Sequence, residues 1–141
     1  MARPIYENSK NRKMQRQVAD VIEKKWNVTC KDLSYRDVVD YAMCRKDDIV
    51  GWVEIKCRNI YYTTQLEYMI SLHKIKEGRA VAKETNLPIF LVVAFEDGIY
   101  YYKDQGEQHD LRWGGRFVTQ RDEQDLEPCY YINTNLFKKI Q

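Results

Sequence analysis

Met14, Val18, Ala19, Ile22 and Trp26 are spaced so that they form one apolar stripe on a helix. The pattern predicts an amphipathic helix from about residue 8 to residue 26, with Asn8 or Ser9 as its cap. Lys10, Arg12, Lys13, Arg16 and Lys24 lie largely off the stripe. Beyond it the period changes. Asn27 to Leu33 predicts an edge strand. Val38 to Ala42 and residues 49–57 then predict a hairpin by their β-branched and aromatic content, with Lys46-Asp47-Asp48 as its polar turn.

Leu66, Met69, Ile70, Leu72, Ala80 and Val81 supply the buried side of a second predicted helix, from about Gln65 to Thr85. Thr63 or Thr64 would cap it, and Asn86-Leu87-Pro88 stops it because proline cannot continue a helix. Ile89 to Phe95 is a continuous apolar run, which reads as a central strand buried on both faces. Glu96-Asp97-Gly98 is a tight turn into an antiparallel strand from Ile99 to Lys103. Strand, helix and strand between residues 49 and 95 imply a right-handed crossover between parallel strands. The expected fold class is α/β, a mixed central β-sheet flanked by helices.

The last forty residues are less regular. Trp113-Gly114-Gly115-Arg116-Phe117 reads as a glycine-bearing loop, either a plain turn or a phosphate contact, and Gln120 to Pro128 as a polar loop. Cys129 to Ile132 predicts a short strand, with Phe137 as an apolar anchor. There is no repeat and no Pro/Gly-rich linker, so residues 1–141 are expected to form a single domain.

Composition narrows the classes. At 44% hydrophobic and 31% charged residues the chain is ordinary for a globular protein. No apolar run approaches the roughly 20 residues of a membrane span, and Met-Ala-Arg-Pro opens no signal peptide, so a cytoplasmic protein without membrane partners is expected. Cys30, Cys44, Cys57 and Cys129 include no CxxC pair, and His73 and His109 stand at no ligand spacing to them, which argues against zinc and for free thiols. The net charge of +2 conceals a gradient. Residues 1–31 hold eight Lys/Arg and three Asp/Glu, net +5, whereas residues 96–127 hold four and nine, net −5. The basic third suits a DNA backbone or a solvated helix face equally; the acidic segment suits solvent or a partner protein.

The hairpin carries the candidate chemistry. Centred on Asp47, it sets Asp40 opposite Glu54, and the two-residue strand period puts Glu54 and Lys56 on one face. Opposed carboxylates repel. A divalent cation removes that penalty, and hard cations choose carboxylate oxygens. Taken singly, each acid is equally well a strand-end residue facing solvent, and Lys56 an ion-pair partner of Glu54.

An Asp, a gap, then Glu-Ile-Lys on neighbouring strands resembles the signature of the PD-(D/E)XK nuclease superfamily, the restriction-endonuclease-like and Holliday-junction-resolvase-like phosphodiesterases. The chain looks like a small single-domain member of the kind carried by bacteriophages, the likeness covering roughly residues 10 to 103. The resemblance implies a metal-dependent DNA endonuclease. Asp40 and Glu54 would hold Mg²⁺ (or Mn²⁺) with the carbonyl of Ile55, and Lys56 would complete the catalytic set. It further implies a DNA-facing role for Lys74 on the second helix. Apart from the resemblance, Arg58 could clamp a phosphate, Lys13 and Arg16 could extend the basic surface, and Tyr61 and Tyr62 could stack on bases, although most of the eleven tyrosines must be structural. Many relatives carry another Glu on the first helix. Here Gln15 is the best-placed accessory candidate, with Glu7 and Glu23 as substitutes. Two cuts in a duplex need two sites, so a homodimer is compatible with this reading. The alternatives are a non-catalytic DNA-binding module that keeps the nuclease fold, and a virion or interaction protein using the acidic C-terminal region and exposed tyrosines.

Overall fold

The computed structural model describes residues 9–33, 39–115 and 126–141. Helix α1 spans Ser9–Trp26, followed by β1 (Thr29–Asp32), β2 (Tyr41–Arg45) and β3 (Asp48–Cys57). A 3₁₀ turn at Tyr62–Thr64 leads to β4 (Glu67–Ser71) and α2 (Leu72–Thr85). Strands β5 (Ile89–Phe95), β6 (Gly98–Asp104), β7 (Asp110–Gly115), β8 (Leu126–Asn133) and β9 (Lys138–Lys139) follow, with a 3₁₀ turn at Thr134–Leu136 between the last two.

Six strands form the main sheet in the order β1-β2-β3-β5-β6-β9, and β4-β8-β7 form a second one. Only the β3–β5 pair of the main sheet is parallel; its other neighbours are antiparallel. The expected mixed sheet is therefore present, with β1 as the expected edge strand. Along β5 the side chains alternate between two cores. Leu91, Val93 and Phe95 pack with Tyr68, Ile70, Ile75 and Ile132 from β4, α2 and β8. Val92 instead joins Val53, Ile55 and the α1 stripe of Val18, Ala19 and Ile22. A strand buried on both faces cannot alternate apolar with polar residues, which is why 89–95 reads as an unbroken run.

The hairpin departs from expectation in an informative way. Strand β2 begins at Tyr41 rather than Val38; Val39 and Asp40 form a bend, and Val38 lies outside the described residues. The turn is the two-residue loop Lys46-Asp47, both with positive φ (51° and 70°), as a primed hairpin turn demands. Such a turn by itself would set Asp40 opposite Val53. A bulge beside Met43, with Val50 as the extra residue of β3, moves the register by one, so Tyr41 pairs with Val53. The next step along β3 is then Glu54.

The second helix is shorter than predicted. Residues 67–71 are strand, with Tyr68 and Ile70 buried and Met69 exposed, because this segment pairs with Asn133 to Cys129 of β8. Leu66 is 85% exposed, and the buried side of α2 is Ile75 and Gly78 rather than Ala80 or Val81. Asn86 at φ 56° ends α2, its N–H bonding to Ala82 O. Trp113-Gly114-Gly115 belongs to β7 rather than a loop. The rest of that segment, from Arg116 through the polar stretch to Asp125, lies outside the described residues, as do Asn8 and Glu7.

Candidate active site

The residues at the end of the hairpin come from four elements. Glu54 and Lys56 stand on the face of β3 opposite α1, because Val53 and Ile55 between and beside them are fully buried against that helix. Lys56 Nζ lies 3.2 Å from Glu54 Oε1. From α2, which packs on the same face, Lys74 Nζ reaches the same oxygen at 3.4 Å. Close approach of α2 is permitted by Gly78, one turn beyond Lys74, where a Cβ would sit 2.7 Å from Ile89 Cδ1. Glu54 is only 6% exposed. Its Oε1 has the two ammonium groups in ion-pair range without hydrogen-bond alignment, and its Oε2 has no hydrogen-bond partner among the described residues.

Asp40 closes the site from the bend before β2. Its N–H bonds to Val53 O at 3.1 Å, which fixes the backbone, and its Oδ2 accepts the Ile55 N–H at 2.7 Å. Burial and the charge of Glu54 push the Asp40 carboxyl up to about 7, against the opposing pull of the Ile55 N–H, Lys56 and Lys74. On the other side of β3's edge, Gln15 of α1 donates Nε2–H to the Ile55 carbonyl at 3.3 Å. The expected trio, the Ile55 carbonyl, Lys74 and Gln15 thus converge on one place.

This donor set fits a divalent cation. Burial and the neighbouring Glu54 charge raise the Asp40 carboxyl to about 7, one Glu54 oxygen is buried without a donor among the described residues, and a backbone carbonyl lies beside them. The lysines offset part of the charge but leave Glu54 Oε2 unanswered. A narrow, mostly apolar cleft has Glu54, Lys74 and Val39 in its wall and runs on between Gly78 and Ile89.

Other candidates are placed differently. Arg58 is exposed at the end of β3, its N–H bonded to Ala94 O and its guanidinium to Cys57 O. Lys13 is exposed on α1. Arg16 is engaged with Asp20, with Glu23 at 2.9 Å and with Cys30 O. Glu23 also accepts the Cys30 N–H, so it ties α1 to β1 rather than entering the site. Tyr62 is structural: its ring stacks on Tyr100 at 3.7 Å, and its hydroxyl donates to Thr134 O.

Sequence reading missed a second cluster. The ligating atoms of Asp104, Glu107 and His109 lie within 4.8 Å of one another. Each is already engaged, Asp104 by a two-pronged Arg79 contact at 2.9 Å, Glu107 and His109 by the Tyr102 hydroxyl. Spacing in sequence was the available signal; the Arg79 contact from α2, 25 residues away, was not legible there.

Compared with known families, residues 1–140 match the model described as "Phage putative PDDEXK endonuclease". Among solved structures the chain resembles Hjc of Archaeoglobus fulgidus, a Holliday junction resolvase from an archaeal hyperthermophile. The TM-score is 0.59 at 14% identity, over 94% of this chain and 93% of that one, a likeness of fold. No curated protein matches the chain in sequence.

Proposed function

The chain belongs to the phage PDDEXK endonuclease family, and from that premise we propose that it is a Mg²⁺- or Mn²⁺-dependent DNA endonuclease acting through Asp40, Glu54 and Lys56. The observation that carries this reading is the buried Glu54 carboxylate, one oxygen of which lacks a donor among the described residues, set against an Asp40 whose pKa burial and that charge raise. A site that merely stabilised the fold would have given the buried carboxylate oxygens hydrogen-bond donors.

Asp40, Glu54 and the Ile55 carbonyl would hold the cation. When bound, it would polarise the scissile phosphate and make water a competent nucleophile near neutral pH. The remaining work falls to the chain. Lys56, on the same strand face as Glu54, orients the attacking water and offsets charge developing on the phosphate. Lys74 adds a second positive group from α2 and holds Glu54 in position. Gln15 fixes the Ile55 carbonyl, and the Ile55 N–H fixes Asp40, so the acids are oriented by backbone groups that cannot swing away. Arg58 and Lys13 supply cationic surface toward a DNA backbone. No helix among the described residues is long and apolar enough to cross a membrane; action on DNA in the host cytoplasm follows from a phage origin. A homodimer would give a duplex its two cuts.

The test is cleavage of linear, nicked, branched and single-stranded DNA by the full chain with Mg²⁺, with Mn²⁺ and with EDTA. Cleavage should require metal and vanish in Asp40→Ala and Glu54→Gln. A folded wild type that cuts none of these substrates with either metal sinks the reading.

A further inference from the structure

Five residues beyond Lys56, the chain presents Tyr61 to solvent on an otherwise immobilised loop. Tyr61 is 54% exposed, its neighbour Ile60 is 36% exposed, and neither an aromatic contact nor a side-chain hydrogen bond holds the Tyr61 ring among the described residues. The backbone around it is pinned on both sides. Ile60 O accepts the Glu96 N–H at 2.9 Å. The Asp97 carboxylate accepts the N–H groups of Tyr62 (2.7 Å) and Thr63 (3.2 Å) and the Thr63 hydroxyl (3.0 Å). Tyr61 O itself accepts from the Thr64 amide and hydroxyl. Next to it, Tyr62 is locked between Tyr100 and Thr134.

Such an arrangement spends many hydrogen bonds to hold out one aromatic ring that contributes nothing to the core. An exposed, amphipathic ring on a pinned backbone suits a stacking contact, since only its own two side-chain torsions remain to be ordered on binding. The surroundings select the partner. Arg58, exposed at the end of β3, lies three residues before Tyr61, so the loop leaves directly from the strand that carries Glu54 and Lys56. Five extended residues span at most about 18 Å, so the Tyr61 backbone lies within about five nucleotide steps of 3.4 Å of the Lys56 backbone. In continuous duplex the base faces are covered by their neighbours. A protruding ring finds a free face only where the stack is opened.

Resting on the endonuclease reading above, we propose that Tyr61 stacks on an unpaired base beside the scissile phosphate and thereby biases the enzyme toward DNA containing unpaired nucleotides. Asp97 is its positioning residue, acting through the loop backbone. The sequence treats Tyr61 and Tyr62 alike; only the structure separates the locked ring from the free one.

The test uses the full chain without divalent metal, a single-stranded oligonucleotide carrying 2-aminopurine, and a blunt duplex of the same sequence. Tyr61→Ala should weaken single-strand binding about tenfold and leave duplex binding nearly unchanged, whereas Tyr61→Phe and Tyr61→Trp should restore it. The 2-aminopurine fluorescence should be quenched by wild type and Tyr61→Phe but not by Tyr61→Ala, a signature that a purely structural role would not produce. Asp97→Ala should lose part of the same selectivity. Equal losses on both DNAs, or none on either, overturn the assignment while wild-type cleavage with Mg²⁺ keeps the endonuclease reading standing. A wild type that neither binds nor cuts DNA overturns both.

Discussion

Asp40 Oδ2 accepts the backbone N–H of Ile55 at 2.7 Å, from a bend that lies just outside the β2–β3 ladder. The carboxylate thus replaces the strand partner that Ile55 lacks at that point, while facing Glu54. Two substitutions separate these roles. Asp40→Asn keeps an acceptor for Ile55 and deletes the repelling charge, so the metal-free protein at pH 8 should gain about 1–2 kcal/mol, on the order of 5 °C in Tm. Asp40→Ala leaves the Ile55 N–H without its acceptor and should lose about 1–3 kcal/mol. Both should be inactive. Thermal melts beside a cleavage assay distinguish them, and equal melts for the two variants would contradict the proposed division.

Metal-free stability should fall as pH rises. The Asp40 carboxyl is raised from 3.8 to about 7 in the folded protein, so between those values the native state holds a proton that the unfolded chain has lost. By linkage, stability declines across that window and levels off above about 7, where both states are ionised. Mg²⁺ binds the ionised native form and should therefore raise Tm more at pH 8 than at pH 5.5. In Asp40→Asn the decline should flatten and the Mg²⁺ effect shrink. An identical slope in wild type and variant would remove Asp40 as its source.

Lys56 and Lys74 share one oxygen, at 3.2 and 3.4 Å from Glu54 Oε1. Lys56 belongs to the strand that carries the acid, whereas Lys74 reaches it from a neighbouring element. Lys56→Ala should lower the cleavage rate about 10²–10³-fold, and Lys74→Ala about tenfold. Because both act on one carboxylate, the double variant should lose less than the product of the two. Rates measured at saturating Mg²⁺ test this; strictly multiplicative losses would mean that the lysines work on separate groups.

What could be read beforehand divides along lines of locality. The convergence of Asp40, Glu54 and Lys56 is a hairpin property, set by residues within twenty positions of one another, and strand content and a polar turn were enough to find it. Even so, the expected register came from a turn centred on Asp47, whereas the molecule reaches the same alignment through a two-residue turn and a bulge at Val50. Strand β4 was invisible because its partner β8 lies some sixty residues away. Leu66, Met69 and Ile70 fit a helical spacing as well as Tyr68 and Ile70 fit a strand, and only pairing decides between them. The Arg79–Asp104 contact is likewise tertiary. Gln15 could be placed on the inward side of α1, but not its hydrogen bond to the Ile55 carbonyl.

Gly78 offers a test of how firmly α2 must sit. Alanine there would favour the helix by about 1 kcal/mol in propensity. Its methyl, however, would meet Ile89 Cδ1 at 2.7 Å, and overpacking of this kind costs about 1–3 kcal/mol. The steric term should win, because α2 is held between β5 and the second sheet, but only modestly, since the clashing atom ends a flexible side chain. Gly78→Ala should therefore destabilise by about 0–2 kcal/mol and, by lifting the turn that carries Lys74, slow cleavage more than its stability loss implies. Ile89→Val removes Cδ1 and should cost about 0.5–1.5 kcal/mol alone. Combined with Gly78→Ala it should cost less than the sum, with activity partly restored, because the new methyl fills the space that Cδ1 leaves. Melts and rates for the four proteins of this cycle give the coupling directly. Additive effects would mean that α2 does not press on β5 at this point and that Lys74 is held in place by something other than that contact.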